Sequence, residues 1–176
     1  MSKILWLFIT LLAFLTGGVF TSFADQGHKP YVGSKPFERM KRLAGNWEGS
    51  ADFGQGIQKI KAHYKLTSGN SAIIETFHVG TPHEMVSVYH DNKSQKLTMT
   101  HYCAEHNQPK LILSEWIDNK LAMDFAADNE IDVVHESHIH AAAIQFEGED
   151  SMTHKWTSFK DGKQAQVVEI IFKRVN

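Results

Sequence analysis

The stretch FERMKRLAGNWEGSADF, Phe37–Phe53, contains a change of period on which the fold turns. Up to Gly45 the apolar residues recur at helical spacing, with Phe37, Met40 and Leu43 or Ala44 on one side. Ser34 is placed to cap this short helix, Pro36 is tolerated in its first turn, and Gly45 ends it. From Asn46 onward the apolar residues alternate with polar ones, the repeat of a strand with one buried face. The helical period does not return.

The alternating pattern predicts strands over Asn46–Phe53, Ile57–Leu66, Ala72–Val79, Met85–His90, Lys96–Tyr102, Leu111–Ile117, Lys120–Ala126, Ser137–Glu147, Met152–Phe159 and Gln164–Val175. Many are separated by turn signals: Ser68–Asn70, Gly80–Pro82, Asp91–Lys93, Asp118–Asn119, Gly148–Asp150 and Asp161–Lys163. Strands joined this tightly pair as antiparallel neighbours, and a meander of this length closes to remove its exposed edges. The expected fold is all-β: an antiparallel up-and-down barrel of about ten strands with a short N-terminal helix.

Ahead of the helix, Lys3 and the apolar run Ile4–Leu15 lead to Ser22-Phe23-Ala24, with small residues three and one before a cut. This reads as a secretory signal peptide over residues 1–24, cleaved after Ala24. The apolar run falls short of the ~20 residues that span a bilayer. Residues 25–35 form an extended lead-in, and 36–176 the barrel domain. Removing 24 residues from 176 leaves 152, enough for one domain with a sizeable core. The implied location is periplasmic or secreted, with no membrane partner once the signal is removed. A net charge of −2 gives no electrostatic case for nucleic acid. The lone cysteine, Cys103, excludes an internal disulfide, so the fold must hold by its core and its closed sheet.

Phe37, Met40, Leu43 and Gly45-Asn46-Trp47-Glu48-Gly49 resemble the start of lipocalin-like, or calycin-type, barrels. The resemblance implies a helix leading into a G-x-W strand whose tryptophan plugs the closed end. A second set resembles an uncharacterised family of exported bacterial lipocalin-like domains of unknown function. It comprises His101-Tyr102-Cys103, Asn107-Gln108-Pro109, His138-x-His140, His154-x-Trp156 and Asp161-Gly162-Lys163. The likeness spans Phe37 to Val175, and His106 stands where it leads one to expect glycine. The haem-binding nitrobindin group shares the Gly45, Trp47, Gly49 pattern but ligates iron through a histidine near the chain end. Gln164–Val175 has no histidine, which counts against haem held in that way.

The chain is rich in histidine, with eleven, ten of them between His63 and His154. Because residues two apart share a strand face, His101 and Cys103 lie with Leu97 and Met99. His138 and His140 lie with Ala142, Ile144 and Phe146, and His154 lies with Met152 and Trp156. In each strand the histidine face is the more apolar, so it should look inward. Pairing through the turn at Gly148–Asp150 makes partner numbers sum to about 298. His154 is then set near Ile144, ~13 Å from His140 by strand rise. His138 and His140 are ~6.6 Å apart along one face, compatible with two ligands to one metal.

These placements make His101, Cys103, His154 and Trp156 the expected contacts of a small-molecule ligand. They make His101, His138 and His140 the expected metal set. Three imidazoles suit zinc or iron, and a thiolate from Cys103 would favour zinc or copper. The same residues have a plain structural use, because inward histidines can bond carbonyls, tyrosines or water inside a polar cavity. His135-Glu136 opens like a zincin motif, but Ile139 stands where its second histidine belongs. Glu75 and Glu115 could pair with a histidine in acid–base work, a geometry that spacing does not fix. Three functions remain: an exported barrel binding a small ligand or metal, a small histidine-dependent metalloenzyme, and a filled barrel with a structural or interaction role.

Overall fold

The computed structural model describes residues 30–175, so the expected signal peptide and its cut at Ala24 lie outside the described residues. The helix is α1, Lys35–Lys41. The ten strands are β1 Gly45–Asp52, β2 Ile57–Thr67, β3 Ala72–Phe77, β4 Met85–Asp91, β5 Leu97–Tyr102, β6 Lys110–Ile117, β7 Lys120–Phe125, β8 His138–Phe146, β9 Ser151–Lys160 and β10 Lys163–Val175. Each strand pairs antiparallel with its neighbours in sequence, and β1 pairs with β10 to close the barrel. The all-β, up-and-down expectation therefore holds, with all ten strands within a few residues of the alternating segments. Among the described residues, no helix is long and apolar enough to cross a membrane.

The α1 end is closed. Ser34 Oγ accepts from the Phe37 N–H, and Asp91 at the end of β4 accepts from both the Ser34 N–H (2.6 Å) and its hydroxyl (2.8 Å). That pair of bonds fixes the helix over the barrel, where Phe37, Met40 and Leu43 are sealed from solvent. Trp47 is fully buried beneath them and donates Nε1–H to the Leu43 carbonyl at 2.7 Å. Arg174 lies over the Trp47 ring, 4.4 Å from its centroid, and donates to the Ala44 and Arg42 carbonyls at 2.7 Å. Gly49 follows because a Cβ there would meet the Ile171 carbonyl at 2.8 Å, too close for any side chain.

The core is the barrel interior. Along β2 to β5 the inward residues alternate regularly: Ile60, Ala62 and Tyr64; Ile73, Glu75 and Phe77; Ser87 and Tyr89; Leu97, Met99 and His101. The β8–β9 pairing sets Ile144 opposite His154, the register expected from the turn. Further along, the alternation breaks. The register shifts between Ile139 and Ala141, so Ile139 pairs with Ser158 while Ala142 pairs with Trp156. His140 is the extra residue of a β-bulge, which corrects the expectation that His138, His140 and Ala142 share one face.

Candidate functional site

The end away from α1 opens into a cavity of about 260 Å³, where β3, β5 and β9 finish and β4, β8 and β10 begin. Its apolar walls are Phe53, Phe77, Met85, Ile139, Trp156 and Val168. Its polar groups are His101, Cys103, Glu105, Ser137, His138, Ser158 and Gln166. A larger crevice of about 610 Å³ lies beside α1, lined by Lys35, Glu38, Arg39, Arg42 and Glu149. Three of these charges engage one another, Arg39 and Arg42 both facing Glu149 at 3.9 and 3.2 Å, which leaves less for a ligand. The mouth cavity is the better candidate because aromatic and aliphatic walls stand beside its polar groups, in place of a lining dominated by charged side chains.

Beneath the cavity lies a row of polar side chains. Tyr64, Glu75, Ser87 and His101 are successive register partners on β2, β3, β4 and β5, and each is at most 2% exposed. The Tyr64 hydroxyl donates to Glu75 Oε1 and the Tyr89 hydroxyl to Glu75 Oε2, both at 2.7 Å. His154 faces the same carboxylate, with Nδ1 3.5 Å from Oε1. Ser87 Oγ and His101 Nδ1 are 3.0 Å apart. The row forms because each residue occupies an inward position at the same level of its strand. A buried carboxylate is tolerated there because its oxygens receive short hydrogen bonds.

Burial controls the protonation of these groups. It pushes His101 down to about 4, against the opposing pull of Glu75 and with a smaller push from His154. It lowers His154 likewise, again opposed by Glu75. Tyr64 and Tyr89 are raised well above the usual phenol range by burial and then by Glu75. At neutral pH the site therefore offers a neutral imidazole and neutral phenols.

Of the residues expected to touch a ligand, His101, Cys103 and Trp156 line the cavity and His154 does not. His154 is wholly enclosed behind Trp156, with their rings 4.5 Å apart. The Trp156 Nε1 and both His154 ring nitrogens are buried without a hydrogen-bond partner. Burial also pushes the Cys103 thiol up, away from the thiolate that metal binding or nucleophilic attack requires.

Of the expected metal set, the structure brings together two. His138 Nε2 and His140 Nδ1 are 3.0 Å apart, and His138 Nδ1 donates to the Glu136 carbonyl at 2.8 Å. His140, carried off the regular alternation by the bulge, is stacked between Phe125 (4.9 Å) and Phe159 (3.9 Å). His101 instead packs on Trp156 at 5.0 Å and bonds Ser87. Among the described residues, no group of three or more His, Cys, Asp or Glu side chains is placed to hold a metal ion.

Tyr64, Ser87 and Tyr89 are the members that sequence reasoning missed, and Glu75 was noticed but not placed. The same parity rule applied to β2, β3 and β4 would have found them, since Tyr64 lies two residues from Ala62, Glu75 from Ile73 and Phe77, and Ser87 from Tyr89 on the inward face.

No protein-family model matches the sequence, and no curated protein matches it. Among solved structures, the fold is similar to a protein of unknown function from the DUF3598 family of Nostoc punctiforme PCC 73102. The TM-score is 0.55 at 15% identity, over 77% of this chain and 49% of that one. The chain thus spans about half the length of that protein, and the likeness is one of fold.

Proposed function

We propose that the protein is an exported, lipocalin-like barrel that binds one small, mostly apolar molecule in the mouth cavity. The observation that carries this reading is the cavity itself, with apolar walls and a neutral, fixed histidine at its floor. At about 260 Å³ it is just below the range typical of drug-sized ligands, which favours a molecule of one or two rings. The closed α1 end, with Trp47 as its plug, supports the lipocalin-like comparison. Export rests on the apolar run and the small residues before Ala24.

The test is fluorescence titration with 2-methoxynaphthalene. Saturable one-to-one binding is expected for the native protein, and its loss in Val168→Trp, which fills the cavity. A folded native protein that gives no saturation would remove the reading. Export is tested separately by fractionation and N-terminal sequencing, with a mature chain expected to begin at Asp25. A chain retained in the cytoplasm with Met1 intact would remove that part alone. Metal has less support than a small molecule, because His101 keeps company with Ser87 and Trp156 and not with the His138–His140 pair.

A further inference from the structure

We infer that His138 Nε2 and His140 Nδ1 are the two protein ligands of a copper(II) site on β8. The site goes beyond the small-molecule reading of the cavity and stands without it. It begins with the bulge. On β9, Phe159 pairs with His138, Ser158 with Ile139 and Thr157 with Ala141, so His140 has no partner across that ladder. Released from the alternation, its ring turns toward His138, and the two nitrogens come within 3.0 Å. Both rings are held in place. The Glu136 carbonyl can only accept, so it keeps a proton on His138 Nδ1 at 2.8 Å, which in a neutral ring leaves a lone pair on Nε2. Metal-bound histidines are held the same way, with the second nitrogen donating to a carbonyl or carboxylate. His140 is clamped between Phe125 and Phe159, its plane within 7° of one and 20° of the other.

Without an ion the rings share a hydrogen bond, His140 Nδ1 donating to the His138 lone pair. To ligate, His140 carries its proton on Nε2 instead, a nitrogen with no hydrogen bond among the described residues, on a half-buried ring. That exchange releases no net proton from the protein. The separation then selects the metal. Two nitrogens bound at about 2.0–2.1 Å lie about 2.8–3.0 Å apart at a right angle and about 3.3–3.4 Å apart at the tetrahedral angle. The observed 3.0 Å matches the right angle, the preference of square-planar copper(II) and nickel(II). Among the described residues no third His, Cys, Asp or Glu joins the pair, so water fills the other positions. A site with two side chains needs the ion of highest intrinsic affinity for nitrogen, and that is copper(II).

The experiment is titration of the untagged protein with copper(II) in a non-coordinating buffer, with pulsed EPR at one equivalent to count the bound imidazoles. One ion per chain held by two imidazoles is expected. His140→Ala should weaken binding by at least the roughly 10–100-fold that loss of a supporting partner costs a metal site, and should lower the imidazole count. His63→Ala, which removes an exposed ring on β2, should leave both readings unchanged. Undiminished binding in His140→Ala would mean adventitious copper only and would overturn the inference, as would the absence of one-to-one binding in the native protein. Zinc bound as tightly as copper would overturn the choice of metal. Should His140→Ala not fold, the native spectrum decides: two imidazoles support the site, and any other number overturns it.

Discussion

Two buried tryptophans mark the two ends of the barrel, and they are treated differently. Trp47 under α1 has its Nε1–H on the Leu43 carbonyl and Arg174 across its face. Trp156 at the mouth is 7% exposed, yet its Nε1–H has no partner and its neighbour His154 has none for either nitrogen. A buried donor left unpaired costs about 1–3 kcal/mol. Around Trp47 the chain finishes its own bonding, and Arg39 Nη1 on α1 is the one buried donor near that end without a hydrogen bond among the described residues. At the mouth the deficit falls on the ring nitrogens of Trp156 and His154 together. Such local deficits collect where a protein meets something else, and the cavity lies on that side of the molecule.

The comparison can be broken by substitution. Trp47→Ala removes a fully buried ring and its hydrogen bond, and a loss of roughly 3–5 kcal/mol in urea unfolding is expected. Trp156→Phe removes a donor that bonds nothing, so its effect should stay within about 1 kcal/mol. If the mouth variant proved as costly as the plug variant, both ends would be equally finished and the contrast would disappear.

Acid sharpens the same contrast. His101 is held down to about 4 and His154 is also lowered, so both stay neutral in the fold at a pH where an unfolded histidine takes up a proton. The unfolded state then binds more protons, and folding stability falls as pH drops below about 6.5. For His101 the slope is about 1.4 kcal/mol per pH unit, acting until the folded ring itself protonates near 4. Glu75 favours the charged form of both rings and is opposed by burial, the larger influence; Cys103, Glu105 and His138 share the cavity lining with His101. Urea unfolding from pH 7.5 to 4.5 should show a shallower decline in His101→Leu than in the native protein. Parallel curves would mean that the mouth histidine does not contribute.

Why the α1 end was legible and the mouth less so follows from what each needs. Ser34, Pro36, the Phe37–Met40–Leu43 spacing and Gly45 all act locally, so the helix and the first strand could be read from adjacent residues. Strand parity also sufficed for His101, Cys103 and Trp156, which line the cavity. It failed at His140, where one inserted residue reverses the alternation and nothing in HIHAAA marks the bulge. It also could not show that Trp156 covers His154, because depth within the lumen depends on side-chain size across the barrel. The Tyr64–Glu75–Ser87–His101 row lies between these cases. Each member is inward by parity, but their common level is set by three strand registers together.

The smallest effect concerns the turn that carries β5 into β6. His106 has a φ of +66°, in the left-handed region that glycine adopts without strain and other residues enter at a cost. The turn accepts this because its bonds hold it closed: His106 N–H donates to the Cys103 carbonyl at 3.1 Å, and Cys103 N–H donates to the Asn107 carbonyl at 3.1 Å. Asn107 then anchors the start of β8 through the Ser137 carbonyl at 2.7 Å. His106→Gly relieves the strain while loosening the unfolded chain, two opposing effects each of about 1 kcal/mol or less. Because His106 is exposed and its ring makes no hydrogen bond among the described residues, relief should win by about 0.5 kcal/mol. Urea unfolding measures the gain, with 2-methoxynaphthalene affinity unchanged. A loss of stability would mean that the His106 ring contributes to the mouth, which would then be more nearly finished by the chain's own side chains than the contrast with Trp47 implies.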